Sequence, residues 1–199
     1  LIEKFKRNQL ESVQNLSRPN FITVKREHIL ASAGCHLVGR WYMLERTFQE
    51  LRQRMPGARE LGEICHIHRG QHSNMSSPPG DFPLVVPATD RKTSADYSFD
   101  FKASCIPLVS SSGHGKADIK RLHYQEGRFA LADTMCCLKV KNPEEVEMRY
   151  IHEYLSKFKD ELLVPMMCGA TNVTLDESDL KKILIPLPSI DEQRSIVRG

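Results

Sequence analysis

The chain reads as an α+β domain built on a curved mixed β-sheet with packed helices, preceded by a small helical segment and ending in the start of a further helix. Charged amphipathic patterns fill the N-terminal part, before Pro56-Gly57. Short apolar runs broken by Gly, Ser and Asp follow, as strands require. Helices and strands then interleave without the regular alternation of a doubly wound sheet.

Taken in order, Ile2, Phe5, Gln9, Val13 and Leu16 recur at helical spacing, so residues 1–16 are expected to form an amphipathic helix broken by Ser17-Arg-Pro-Asn20. A short helix over residues 25–33 should stop at Gly34, and a charged one over 44–55 at Pro56-Gly57. That pair is the expected boundary between segments 1–56 and 57–199. Beyond it, residues 61–68 place Leu61, Cys65 and Ile67 in alternation with Ile64 out of phase, before a turn at Arg69-Gly70. A polar, proline-rich loop over 71–81 leads to an apolar strand at 82–86. Tyr97, Phe99 and Phe101 alternate as one strand face, and further strands are expected over 104–109, 119–124, 129–132 and 135–140. Asn142-Pro-Glu-Glu145 has the form of a helix start, with a capping Asn, Pro in the first position and acids facing the dipole. Its apolar stripe runs through Val146, Tyr150, Ile151, Tyr154, Leu155, Phe158 and Leu162. Thr174 with Glu177, and Ser189 with Glu192, are S/T-x-x-E capping boxes on either side of an apolar strand at 182–187, which Pro186 and Pro188 confine to an edge.

At 199 residues the chain is long enough for one well-buried core. A net charge of +3 and a pI near 8.5 fall short of the ~9 common in dedicated nucleic-acid domains, so bulk charge permits such binding without arguing for it. The six cysteines form no C-x-x-C pair and there is no signal peptide, which together point to a reducing, cytoplasmic setting. No apolar run approaches the ~20 residues that cross a bilayer. The opening at Leu1 and the stop just after the last capped turn lead us to expect a fragment of a longer polypeptide.

Ile185-Pro-Leu-Pro188 followed by Asp191-Glu-Gln-Arg194-x-Ile196 resembles the closing signature of target-recognition domains in the DNA specificity subunits of type I restriction-modification systems. Leu61-Gly-Glu-Ile-Cys-His-Ile-His-Arg-Gly70 is similar to that family's opening strand, and Gly80-Asp-Phe-Pro-Leu-Val85 to its second. Gly113-His-Gly-Lys116 with the stretch 119–130 resembles its central hairpin. Tyr150-Ile-His-Glu-Tyr-Leu155 resembles a family helix and Gly169-Ala-Thr-Asn172 a family turn. The ordered set spans residues 58–198 and is more specific than any one motif. The stretch 21–42, from Phe21-Ile-Thr-Val to Trp41-Tyr42, resembles the C-terminal tail of an adenine-N6 DNA methyltransferase, with Gly34-Cys-His-Leu37 where that family more often has Asn-x-Tyr-Asn-Leu.

The resemblance implies a non-catalytic module that recognises double-stranded DNA and directs an adenine methyltransferase, and a nuclease or translocase subunit, to its target. S-adenosylmethionine would then belong to the methyltransferase partner, with no cofactor in this chain. One such domain reads one half-site, so a second domain or a dimer completes the target. The resemblance also implies that the last helix is the start of a spacer and the N-terminal helices are protein–protein elements.

Reading bases takes Arg or Lys for guanine, Asn or Gln for adenine and carboxylates for cytosine, while cations and amides seat the phosphates. The densest material of this kind is 110–124, where Lys116, Lys120 and Arg121 outnumber Asp118 and glycines allow close backbone approach. Ser112 and His114 belong to it, and on an alternating strand Lys120 and Leu122 would share one face, Ile119 and Arg121 the other. A second surface is Arg69, Gln71, His72 and Asn74; a third is Arg91, Lys92, Thr93 and Ser94. Segment 110–124 as a whole reads as DNA contact in preference to a solvated hairpin with a Gly/Ser tip. The other two surfaces read better as ordinary polar loops, and Thr171 with Asn172 as turn chemistry in preference to base-edge contact. Cys65 and His66 point to opposite faces of a strand; His66 and His68 share one but supply only two zinc ligands. Cys136 and Cys137 read as core. The alternatives left open are a protein-interaction domain of the same fold and a metal-dependent nuclease fragment using Asp96, Asp100 and Lys102.

Overall fold

The structure, a computed structural model, describes residues 24–31, 39–73, 77–88, 92–112, 115–169 and 171–198. The helix expected over 1–16, its break at 17–20 and the stop at Gly34 lie outside these residues. The chain forms two compact units, Leu1–Gln49 and Glu50–Gly199. The first holds α1 (Arg26–Ala31) and most of α2 (Gly39–Arg54). Helix α2 starts earlier than its charged pattern and ends where expected: Met55 N still donates to Leu51 O at 2.8 Å, and Pro56 has no N–H to continue.

In the second unit the chain runs through β1 (Arg59–Glu60), the single helical turn α3 (Leu61–Ile64), β2 (Cys65–Arg69), β3 (Phe82–Val85), β4 (Lys92–Ser94) and β5 (Phe99–Asp100). Strands β6 (Ala103–Pro107), β7 (His123–Gln125), β8 (Arg128–Leu131) and β9 (Met135–Val140) follow. Then come α4 (Met148–Lys157), α5 (Lys159–Leu162), a 3-10 turn at Val164–Met166, α6 (Glu177–Leu180), β10 (Leu184–Ile185) and α7 (Ile190–Arg198). The expected α+β class holds. Its strands divide into an antiparallel sheet ordered β2-β9-β6-β7, a mixed sheet ordered β4-β3-β8-β5 in which β3 runs parallel to β8, and the pair β1-β10.

One core cluster draws on both four-stranded sheets: Leu84 and Val85 of β3, Phe129 and Leu131 of β8, Cys105 of β6, and Met135 and Cys137 of β9. Phe99 and Phe101 close it by packing on Phe129, with ring centroids 5.4 and 5.9 Å away. Tyr97 leaves the expected aromatic face: it is exposed and lies on Phe82 instead. Helix α4 packs on β6, where Ser104 Oγ and His152 Nδ1 lie 3.0 Å apart and Ile151 and Leu155 are fully buried. Cys136 and Cys137 are core, as expected, and burial pushes the Cys137 thiol up to about 12.

Several expected elements change, each for a local reason. Residues 61–64 form a helical turn before β2 begins: Leu61 N donates to Ile183 O, one pair beyond the β1–β10 register, and Gly62 N to Lys181 O. That turn accounts for Ile64 falling out of phase. Residues 119–122 are not strand, so Lys120 and Arg121 do not take opposite faces: both are exposed, while Ile119 and Leu122 are buried. Thr174 does not cap α6; Asp176 does, its Oδ1 accepting from Ser178 N at 2.7 Å, while Thr174 pairs with Cys168. The Ser189 box forms as expected, with Ser189 N donating to Glu192 Oε2 at 2.9 Å and Glu192 N to Ser189 Oγ at 3.4 Å.

The helix expected from Asn142 does not run through. Asn142 Oδ1 accepts from Glu144 N, as a cap would, but α4 starts only at Met148, with Glu147 as its cap. The interruption is caused by Gln193, a fully buried side chain of α7. Its Oε1 accepts from Glu147 N at 2.9 Å, and its Nε2 donates to Glu145 O at 3.0 Å and Pro188 O at 2.8 Å. A continuous helix would need those backbone groups for itself.

Replacing Gln193 by Ala leaves buried backbone groups without partners and should cost about 2 kcal/mol; urea unfolding is expected to show a lower midpoint at unchanged m-value. A second expectation concerns pH. Burial pushes the His152 imidazole down to about 4 from an ordinary 6.5, so the unfolded chain takes up a proton that the folded chain refuses. Stability contributed by neutral His152 is complete above pH 6.5 and is lost as pH falls toward 4. His152→Gln should flatten the stability–pH curve in that window.

Candidate nucleic-acid interface

The register of the antiparallel sheet brings several connections to one end. Arg69 lies opposite Cys136, Pro107 opposite Met135, and Cys105 opposite His123, so β2 and β6 leave where β9 and β7 enter. Gly70 N donates to Met135 O and Leu108 N to Thr134 O, both at 2.9 Å. The mixed sheet delivers its loops to the same rim: Ala132 N donates to Val85 O at 3.0 Å, His72 bridges Ala132, and β4 begins at Lys92 opposite Leu84. The 168–174 turn joins through the Val109–Thr174 bridge, with Ser110 N donating to Val173 O at 2.9 Å.

Gly70 makes this convergence sterically feasible. A Cβ at that position would sit 1.9 Å from Ala132 O, against backbone that cannot swing away. The exit of β2 therefore runs against the β8–β9 turn closer than any residue with a side chain allows.

The sequence-predicted residues fall on this rim in different states. Arg69 is exposed, its Nε 3.4 Å from Asp133 O and its Nη1 3.8 Å from a Glu177 carboxylate oxygen. Gln71 is exposed, with its backbone N–H tied to Leu131 O. His72 is half-buried, and its Nε2 lies 2.7 Å from Ser98 Oγ, which fixes the ring. Lys92 is exposed at the rim; Thr93 is exposed one residue further back, its Oγ1 accepting from Gly80 N at 3.3 Å. Ser94 is buried and leaves the candidate surface. Ser112 is half-buried and bonded to Asp118, while Lys116, Lys120 and Arg121 are exposed. His114, Asn74 and Arg91 lie outside the described residues.

Sequence reasoning missed Asp133 and Thr134, which reach the rim only because β8 and β9 connect there. It read Asn172 and Thr171 as turn residues; both are exposed on the rim's 168–174 turn. Acids accompany the cations: Asp118, Asp133, Asp176 and Glu177 share the rim with Arg69, Lys92, Lys116, Lys120 and Arg121. This is a mixed polar surface with donors and acceptors, suited to reading base edges more than to gripping phosphate by charge alone. The Asp100 carboxylate considered for a nuclease site sits 3.4 Å from Arg128 Nε, an exposed ion pair.

The family model described as type I restriction modification DNA specificity domain matches residues 57–199. The chain belongs to that family. Its members confer specificity and are non-catalytic. Among solved structures, the chain is similar to the S subunit of a type I restriction-modification system from M. genitalium, with a TM-score of 0.57 and 16% identity over 71% of this chain and 37% of that one. It is also similar to the HsdS subunit from Thermoanaerobacter tengcongensis, with a TM-score of 0.48 and 19% identity over 80% of this chain and 43% of that one. The first likeness shows a shared fold. The specificity domain thus spans less than half the length of either subunit. None of the curated proteins matches the chain. Among the described residues, no helix is long and apolar enough to cross a membrane.

Gly70→Ala should destabilise the domain by about 2 kcal/mol through overpacking at the rim. Gly57→Ala, where nothing lies within 4 Å of the added carbon, is the matched control and should unfold near the wild-type urea midpoint.

Proposed function

We propose that this rim lies against duplex DNA and reads one short half-site for an adenine-N6 methyltransferase. The observation that carries the reading is the convergence of the β2–β3, β3–β4, β6–β7 and β8–β9 connections at one end of a rigid two-sheet frame, in a member of a DNA specificity family. Lys116, Lys120 and Arg121 seat phosphates, while Gln71, His72 and Arg69 offer side chains of the types that match base edges. Arg69 and His72 are held by protein contacts at 3.4 and 2.7 Å, which limits the orientations they present.

The chain supplies no methyl transfer itself. A methyltransferase subunit, or a methyltransferase domain continuous with residues 1–56, brings the S-adenosylmethionine and does the chemistry in the cytoplasm. A second recognition domain or a dimer partner reads the other half-site, and a translocating nuclease subunit can join the same assembly.

Selection from a random duplex pool, repeated across a salt series, tests the reading. A sequence-selective enrichment is expected, with affinity falling as salt rises. Lys116→Ala with Lys120→Ala should weaken binding across all sequences and lower the salt slope by about 2, one per phosphate contact. Gln71→Ala should change preference while leaving the slope alone. A wild-type chain that enriches nothing even at low salt would mark this as a protein-interaction domain instead.

A further inference from the structure

We infer that Asp118 is a positioning residue for the phosphate-seating Lys116 and Lys120, acting with Ser110 to hold the backbone that carries them, and not an electrostatic opponent of the bound duplex. The inference rests on the DNA-binding reading above. An exposed loop that meets phosphate should avoid acids, yet Asp118 stands two residues from Lys116 and Lys120. Its hydrogen bonds explain why it is there.

Asp118 Oδ2 accepts from Ser112 Oγ at 2.8 Å, and its carbonyl accepts from Ser111 N at 2.9 Å. Its own N–H donates to Ser110 Oγ at 3.1 Å, and the same hydroxyl accepts from Ser112 N at 3.2 Å. The single proton of Ser110 goes to Lys116 O at 2.5 Å, since the Asp118 carbonyl is 3.4 Å away. Ser111 Oγ then accepts from Lys120 N at 3.2 Å. Both ends of the connection are therefore tied to each other through Ser110 and Asp118.

The tied loop is also anchored to the frame. Ser110 N donates to Val173 O, and Ile119, next to Asp118, is fully buried. Gly115 takes a φ of 74°, a left-handed turn that favours glycine, immediately before Lys116. Lys116 and Lys120 thus project from backbone whose own groups are bonded to Ser110 and Ser111, and each such bond lowers the ordering entropy lost on binding.

The two roles of Asp118 predict opposite signs. If the acid merely repels phosphate, Asp118→Ala binds target and random duplex more tightly, with their ratio unchanged. If it positions the lysines, Asp118→Ala weakens target and random duplex alike, by about tenfold, and lowers the salt slope toward that of the Lys116→Ala, Lys120→Ala chain. Asp118→Asn keeps the acceptor oxygen for Ser112 and should restore most of that affinity and salt slope despite having lost the charge. Ser110→Ala should repeat the loss and serves as the second variant should Asp118→Ala fold poorly.

The measurement is salt-titrated binding of the full chain to its selected target and to a random duplex. Binding that is not weakened in Asp118→Ala and Ser110→Ala, or failure of Asp118→Asn to rescue, overturns the positioning role while leaving the DNA reading intact. A wild-type chain with no target preference overturns both.

Discussion

Strand β9 is the constraint on which the rest of the domain depends. It pairs on one side with β2 over five registered residues and on the other with β6 over four, and its first four residues are all fully buried. Being hydrogen-bonded on both edges and packed on both faces, it has no freedom to slip: a shift of one residue would turn Met135 and Cys137 out of the two-sheet core and put Cys136 and Leu138 in their place. The beginning of β9 sets the rim, since Met135 O holds Gly70 and the preceding Thr134 O holds Leu108. The loops that meet at this end are thus positioned by a buried strand and then tied to one another, as Ser110 N is to Val173 O and Asp133 N to His72 O.

Backbone hydrogen bonding also explains the most distinctive stretch of sequence. In Asp191-Glu-Gln-Arg194, Glu192 closes the capping box with Ser189 on the surface, while Gln193 turns inward and replaces helical hydrogen bonds of the 145–147 turn with its own amide. A neutral amide suits this place because it donates and accepts at once. Glutamate could accept from Glu147 N but could not donate to the Glu145 and Pro188 carbonyls. The direction in which α7 leaves the domain is therefore fixed by a side chain with no exposed surface.

The rim itself has mixed charge. Cations and acids share it, Arg69 faces Glu177, the Ser110 hydroxyl is spent on the loop's own backbone and the Asp118 carboxylate on Ser112 Oγ. Such a surface gains little from long-range attraction, which salt screens over ~10 Å. What it offers is donors and acceptors in set places, and set places are what discrimination between base pairs requires. This accords with a pI of only about 8.5.

Elements whose cause lies within a few residues were legible from the sequence: the strand at 135–140 with its paired cysteines, the end of α2 before Pro56, the Ser189–Glu192 box, and the cation-rich segment around Lys116. Elements whose cause lies far along the chain were not. The turn at 61–64 depends on carbonyls of Lys181 and Ile183, the late start of α4 depends on Gln193, and the shortened β7 lets Lys120 and Arg121 face outward together. By itself the sequence determined the α+β class, the family, and the residue types available to meet DNA. The tertiary structure decided which of them share a rim and which, like Ser94, are lost to the interior. The reason is that side-chain chemistry is carried by each residue alone, whereas the neighbours of a loop are chosen by the register of strands it never touches in sequence.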